Sequence, residues 1–474
     1  MFTAMKLTFL LSAFIATSVH AQYSYQWTRY TDGPTHQSDS AAMSVLDESG
    51  NVYCLGTTGD DWGGQNADFV VTKHNPQGNL VWTWRLNADG NSQDIAADLV
   101  YKNGFVYVCG RVSRPTNWYA DSDFSTTKVR ADNGTTVWQK YYSGTFNPGL
   151  ESSVDGARAL AVDEAGNVYV TGFTWEWDYY FSNADYRTVK YSPNGDLLWS
   201  TRYHGGATYI AVSDQAYLIE VLPDGNIAVS GDSPGPNNSS EWATIKYDAA
   251  TGSEIWVQRS SDANTNIRSA VPTTMKIASN GDVFVAGGGF NDATAIIRYD
   301  LETGDPIWTW SERVGHMGLE GAFDLSNNDD PVVGVTYDPD ADDSNLNNNT
   351  RLIRFRASDG LKLWTRDYGN SVYGNYEVVR AIESLPDGRT IIAGIGPQTP
   401  YNWRLLLLQY SANGTLEWSY IHTPEPKVFE VRQVTHNFGG SIYVFGHATG
   451  DTNTTDLALL KFTKSKFPTS IGRR

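Results

Sequence analysis

The sequence predicts an all-β chain folded as an eight-bladed propeller of four-stranded antiparallel blades. Two observations carry that prediction. Composition is the first: 44 Gly, 16 Trp, 27 Tyr and 18 Phe in 474 residues favour strands and turns over helices. Repetition is the second, and it dominates. Three phrases each recur once per unit, and the units are as long as four-stranded propeller blades.

One phrase is a β-run closing on glycine, as in Asn51-Val-Tyr-Cys-Leu-Gly56, Phe105-Val-Tyr-Val-Cys-Gly110 and Asn167-Val-Tyr-Val-Thr-Gly172. It returns at Gly231, Gly287, Gly334, Gly394 and Gly446, which makes eight copies. The second sets a basic or polar residue among apolar ones, as in Thr188-Val-Lys-Tyr191, Leu352-Ile-Arg-Phe355 and Leu459-Leu-Lys-Phe462. The third centres on Trp82, Trp138, Trp199, Trp256, Trp308, Trp364 and Trp418. Its eighth copy stands at the other end of the chain, around Trp27.

Each unit reads as strands A (as 41–47), B (51–57), C (68–75) and D (79–86), with apolar alternation bounded by Gly, Asn or Pro turns. The Trp27 phrase then supplies strand D of the last blade, so the two chain ends close the ring and cover its strand edges. Seven blades are the alternative, and three phrases counting to eight favour eight. The A–B turns (Asp47–Gly50, Asp163–Gly166) and the C–D turns (Asn75–Gly78, Ser192–Gly195) are short. The B–C and D–A connections are long and variable, and in an up-and-down blade they share one face, where function is expected.

Residues 1–21 read as a secretory signal: Lys6, an apolar run over 7–16, and Val19-His20-Ala21 before Gln22. The expected organisation is signal 1–21, one propeller over 22–463 and a tail at 464–474, in a secreted or periplasmic protein cleaved near Ala21. No later stretch offers about 18 uninterrupted apolar residues, so no membrane span is expected. A net charge of −18 argues against nucleic acid as a partner. Two cysteines exclude a disulfide scaffold and a cysteine zinc cluster. Cys54 and Cys109 fall at opposite-facing strand positions and are expected as two buried thiols. A monomer is expected.

The phrases Tyr247-Asp-Ala-Ala-Thr-Gly-Ser-Glu-Ile-Trp256 and Tyr299-Asp-Leu-Glu-Thr-Gly-Asp-Pro-Ile-Trp308 resemble the tryptophan-docking motif of pyrroloquinoline-quinone-type propellers. The units at 161–172 and 188–199 are similar to the seven-bladed-propeller repeats of bacterial secreted proteins. The resemblance implies a propeller whose Trp packs between adjacent blades. Quinoprotein dehydrogenases of this kind carry an adjacent Cys-Cys pair at the cofactor. Cys54 and Cys109 stand 55 residues apart, and no positions match the cofactor ligands, which speaks against pyrroloquinoline quinone.

Three constellations are candidate sites. The first is aromatic and lies in or beside B–C loops: Trp62, Trp118, Tyr119, Trp175, Trp177, Tyr179, Tyr180, Tyr401 and Trp403, with Trp242 placed nearby. Flat rings beside Asp, Asn and Glu suit sugar faces. The second is a column on inner strand A, Arg158, Tyr217, Glu320, Arg380 and Arg432, aligned with Ala42, Ala96 and Thr273. Arg there would suit a carboxylate or sulfate. The third is Asp338, Asp340 and Asp342, spaced like the opening of a Ca²⁺ loop, with Asp343 and Asn349 where Gly and Glu would complete it. No nucleophile elbow, zincin motif or phosphate loop occurs. The expected function is a non-catalytic binding or scaffold module for a glycan or another protein. The alternatives are a quinone-dependent dehydrogenase-like or polysaccharide-cleaving enzyme, and an envelope assembly scaffold.

Overall fold

Strands B and C carry near-continuous apolar runs because they are buried on both faces, whereas strand D alternates at the rim. Stacking such sheets face to face around an axis is what lets every blade bury both sides. In the computed structural model the described residues are 23–33, 38–59, 67–86, 93–116, 119–144, 154–178, 181–205, 213–235, 240–260, 270–289, 293–313, 316–317, 322–337, 349–369, 377–396, 404–422, 428–449 and 454–465. They form eight antiparallel sheets in a ring, each ordered A-B-C-D from the axis outward.

Blade 1 comprises Ser40–Leu46, Val52–Thr58, Asp68–His74 and Leu80–Leu86. Blade 2 comprises Ile95–Lys102, Phe105–Thr116, Tyr119–Arg130 and Thr136–Tyr142, and blade 3 Gly156–Val162, Val168–Asp178, Phe181–Tyr191 and Leu197–Tyr203. Blade 4 is Gln215–Val221, Ile227–Pro234, Ser240–Tyr247 and Glu254–Arg259; blade 5 is Ala270–Ile277, Val283–Gly289, Ala293–Tyr299 and Pro306–Arg313. In blade 6 strand A is in two pieces, His316–Met317 and Phe323–Leu325, beside Pro331–Tyr337, Asn349–Phe355 and Lys362–Tyr368. Blade 7 is Val378–Ser384, Thr390–Gly396, Arg404–Tyr410 and Leu416–Ile421. Blade 8 joins Val428–His436, Ile442–Thr449 and Thr455–Lys464 to the N-terminal strand Tyr23–Thr31, which pairs antiparallel with Thr455–Lys464. The ring closes as the displaced Trp27 phrase predicts.

The core lies between blades. Tyr53, Leu55 and Val71 of blade 1 pack on Leu99, Val106 and Val108 of blade 2. Across the seam, Val52, Cys54 and Val70 pack on Tyr443, Phe445 and Leu459. Both cysteines are buried and unpaired, Cys54 at the 8/1 junction and Cys109 at the 2/3 junction.

The three repeated phrases meet in one device. The Trp Nε1 of strand D donates to a carbonyl in the next blade's C–D turn, over 2.7–3.2 Å: Trp82 to Ala131, Trp138 to Pro193, Trp199 to Ala249, Trp256 to Leu301, Trp308 to Ala357 and Trp364 to Ala412. The basic residue of strand C donates to the same carbonyl, from Lys73, Lys128, Lys190, Lys246, Arg298 and Arg354. In blades 1, 2, 3 and 5 that cation also lies over the strand B aromatic, as Lys190 does over Tyr169 at 5.1 Å. Each ring is seated on a turn glycine. At Gly304 (φ +74°) a Cβ would meet Trp256 Cδ2 at 2.5 Å, so no larger residue fits beside the indole.

Candidate functional site

Inner strand A positions the polar column through a β-bulge. In seven blades the pairing slips by one residue just after the partner of the repeat glycine. The residue left without a partner is Ala42, Ala97, Arg158, Tyr217, Thr273, Arg380 or Arg432 in turn. A bulge re-aims its side chain and is a common device beside binding sites. Two alignments are corrected here. Ala97, not Ala96, shares the register, because Ala96 is the residue paired with Gly110. In blade 6 the pairing of Phe323 with Val333 gives the position to Ala322, and Glu320 lies outside the described residues.

The column divides into two groups. At blades 7 and 8, Glu430 accepts from His447 Nε2 at 3.2 Å and lies 3.8 Å from Arg432 Nη2. The His447 hydrogen bond, with the Arg432 and Arg380 charges, holds the Glu430 carboxyl down at about 2 against the cost of burial. The Nε atoms of Arg380 and Arg432 are buried without a hydrogen-bond partner. At blades 3 and 4 the exposed Arg158 lies over the rings of Phe173 (5.3 Å) and Tyr217 (5.8 Å). Burial raises the neighbouring Asp232 carboxyl to about 6, with Tyr217 offsetting part of the shift.

Further along strand A, charges link neighbouring inner strands. Lys276 Nζ sits 3.2 Å from Asp324 Oδ1, the Ser384 N–H donates to Asp324 Oδ2 at 2.7 Å, and His436 Nδ1 lies 2.6 Å from Glu383 Oε1. Burial lifts Glu220 to about 7 despite Lys276. The Leu160 N–H donates to Asp98 Oδ2 at 2.8 Å, joining blades 2 and 3. These groups neutralise one another, whereas the Arg380 and Arg432 Nε atoms, like those of Arg111 and Arg354, have no hydrogen-bond partner among the described residues.

A second set escaped the sequence reading. A fully buried acid precedes strand A in several blades: Asp39, Asp94, Asp155, Asp214 and Glu377. Asp39 accepts from Gly33 N and Gly59 N, and Asp155 from Gly144 N and Trp175 N, so the carboxylate clips the D–A connection to the B–C one. The signal was present in the chain: an acid two residues before the partner of the repeat glycine.

Of the predicted aromatic set, Trp175 is half-buried and its N–H is the one bound by Asp155. Tyr119 and Trp177 lie within strands C of blade 2 and B of blade 3, and their side chains are outside the described set. Trp62, Trp118, Tyr179, Tyr180, Tyr401 and Trp403 lie outside the described residues, as do Asp338, Asp340 and Asp342. Trp242 is corrected: it belongs to strand C of blade 4 and is 0% exposed. It occupies the register of Phe69, Phe124 and Tyr186, paired one residue past the repeat glycine, and is a core residue.

Residues 122–311 and 241–445 match the repeat family PQQ_2, described as outer membrane protein assembly factor BamB. The chain belongs to this family. The matched PQQ_2 repeats run from blade 2 to blade 8, and the Trp–carbonyl docking recurs through that span. No curated protein matches the chain. Among solved structures, the WD40 domain of SCAP from fission yeast shares 8% identity over 94% of this chain and 98% of its own, with a TM-score of 0.47. Prolyl oligopeptidase B from Galerina marginata shares 9% over 88% of this chain and 56% of its own, with a TM-score of 0.44. The gluconolactonase XC5397 from Xanthomonas campestris shares 12% over 64% of this chain and 94% of its own, with a TM-score of 0.30. Likenesses at that level carry no functional argument. Among the described residues, no helix is long and apolar enough to cross a membrane.

Proposed function

We propose that the chain is an exported, non-catalytic scaffold that binds another protein on the face of the long B–C and D–A connections. Arg380 and Arg432 would receive a carboxylate of that partner. The observation that carries this reading is the pair of buried Arg Nε donors without acceptors at the bulge register, beside a Glu430 already occupied by His447. Burying such donors unpaired costs about 1–3 kcal/mol each, and an incoming carboxylate would relieve that cost. Membership in a repeat family described by an assembly factor supports a protein partner over a glycan. Export rests on the signal-like residues 1–21.

The test is affinity capture from the envelope fraction of the source cells. The wild type is compared with Arg380→Gln plus Arg432→Gln and with Trp175→Ala plus Trp177→Ala, alongside a polysaccharide panel. A partner retained by the wild type and lost from the Arg variant, with unchanged unfolding midpoint, is the expected result. Saturable polysaccharide binding with no protein partner would transfer the site to a glycan. Equal capture by wild type and Arg variant would remove the Arg pair from the interface.

A further inference from the structure

The acid clip loses its backbone donor to proline at two junctions, Pro234 in blade 4 and Pro397 in blade 7, and at the first the loss leaves a distinctive group of side chains. In blades 1–3 the clip uses an N–H donor three residues past the repeat glycine: Gly59 for Asp39, Ser113 for Asp94 and Trp175 for Asp155. Blade 4 has Pro234 at that place, three residues past Gly231. Proline has no N–H to give. Asp214 keeps the Gly205 N–H on Oδ2 at 3.1 Å, but its Oδ1 receives no backbone N–H although the residue is 0% exposed. Burial pushes its carboxyl up, with Ser233 and Gly205 offsetting only part of the cost.

Two further ligand-type groups stand beside it. Asp185, from strand C of blade 3, is also 0% exposed, and His204 follows strand D of that blade. His204 Nδ1 is 2.9 Å from Asp185 Oδ1 and 3.7 Å from Asp214 Oδ2, and one ligand atom from each residue lies within 4.8 Å of the others. Ligands at about 2.0–2.1 Å around a tetrahedral zinc ion stand about 3.3 Å apart, inside that range. Arg202 pairs with Asp185 Oδ2, which orients the carboxylate and leaves Oδ1 toward the histidine. The His204 side chain is 40% exposed and provides the way in.

The repeat isolates what is special here. The same three positions at the 8/1 junction hold Asp456, Asp32 and Asp39, where both Asp39 oxygens are bonded to backbone. At the 2/3 junction they hold Asp123, Ser143 and Asp155. The outer two acids therefore belong to the scaffold. Blade 7 shares the proline (Pro397) and an unpartnered acid oxygen (Glu377 Oε2), so the imidazole of His204 is what sets the 3/4 junction apart.

We propose that Asp185, His204 and Asp214 bind a divalent first-row transition-metal ion, with Zn²⁺ the best fit to one imidazole and two carboxylates and a position open to solvent. This assignment is independent of the protein-binding reading, since it lies at blades 3 and 4 and needs no partner.

The experiment is calorimetric titration of the chelator-stripped full chain with ZnCl₂, paired with thermal unfolding with and without the ion. The expected result is saturable binding at this site and a raised midpoint, with affinity at least tenfold lower in His204→Ala, an exposed position that leaves the fold intact. Pro234→Ala, which returns the missing N–H to Asp214, is expected to weaken Zn²⁺ binding while the apo protein unfolds at the same or a higher temperature. Asp32→Asn should leave the affinity unchanged. Absence of saturable binding, or binding that survives His204→Ala and is lost in Asp32→Asn, overturns the assignment and leaves His204 as a hydrogen-bond partner of Asp185.

Discussion

The docking of Trp256 on the next blade can be measured with two alanine substitutions of the same backbone class. Gly304 and Gly225 both lie in tight turns with left-handed backbone, φ +74° and +84°. An alanine at either position costs about 1–2 kcal/mol for that conformation, partly offset by about 0.4–1 kcal/mol from a stiffer unfolded chain. At Gly225 nothing lies within 4 Å of the added methyl, so the net cost is about 1 kcal/mol. At Gly304 the methyl would sit 2.5, 2.8 and 2.9 Å from Trp256 Cδ2, Cγ and Cε3. The indole is 8% exposed and its Nε1 is held by Leu301 O at 3.2 Å, so it cannot slide aside without losing that bond. Overpacking of this kind costs a further ~1–3 kcal/mol. Equilibrium urea unfolding followed by tryptophan fluorescence should therefore rank wild type above Gly225→Ala, and Gly225→Ala above Gly304→Ala by ~1–3 kcal/mol. Equal destabilisation by the two substitutions would refute the docking argument.

Four other outcomes follow from the same structure. Cys54 and Cys109 are buried with thiol pKa values raised chiefly by burial, so an aromatic disulfide reagent should modify neither in the native protein and both in denaturant. Burial alone raises the Glu377 carboxyl to about 7, so its contribution to stability is complete below the unfolded value and disappears as pH rises through about 7. Glu377→Gln should flatten the decline in stability between pH 5 and 8 by up to about 3 kcal/mol, read from urea midpoints across that range. Glu430 has the opposite sign: held down at about 2, it loses its contribution as pH falls from about 4.5 toward 2. Removing residues 22–31 takes strand D from blade 8 and bares the edge of Thr455–Lys464, and concentration-dependent self-association on size-exclusion chromatography is the expected consequence.

What the sequence revealed and what it hid divide along physical lines. Strand count, blade order and ring closure were readable because the docking contact sets a Trp at fixed spacing in each unit, with a turn glycine and a strand C cation in seven of the eight. Trp242 was misplaced because it was read from its nearness to a loop. Its pairing one residue past Gly231, the register of Phe69, Phe124 and Tyr186, marks it as core. The bulge at Arg158, Arg380 and Arg432 left no trace in residue type, since Ala42 and Ala97 occupy the same position. Asp185 and His204 share the C–D hairpin of blade 3, but Asp214 comes from beyond a variable D–A connection, and its meeting with them depends on three-dimensional register. The loss of one N–H at Pro234 gains meaning only beside the three intact clips.

The seam of the ring explains the exception to the repeat. Seven blades carry Lys or Arg at the strand C position that reaches the next blade's turn, including Lys461, which donates to Pro76 O across the closure. Blade 7 carries Gln409 there. Its neighbour is blade 8, whose strand D comes from the N-terminus, so no C–D turn connects Thr455–Lys464 to Tyr23–Thr31 and, among the described residues, no turn carbonyl is presented. Gln409 is 0% exposed. A lysine there would lose the acceptor that the other blades supply, and a buried ammonium without an acceptor is among the costlier substitutions a core can take. Gln409 instead donates from Nε2 to Glu417 on its own blade at 2.7 Å. Trp418 turns to Tyr23 of the closing strand, with ring centroids 5.3 Å apart. The one unit that breaks the basic-residue rule is thus the unit that faces the chain ends, and the same closure is recorded twice: by the displaced Trp27 and by the missing charge seven blades later.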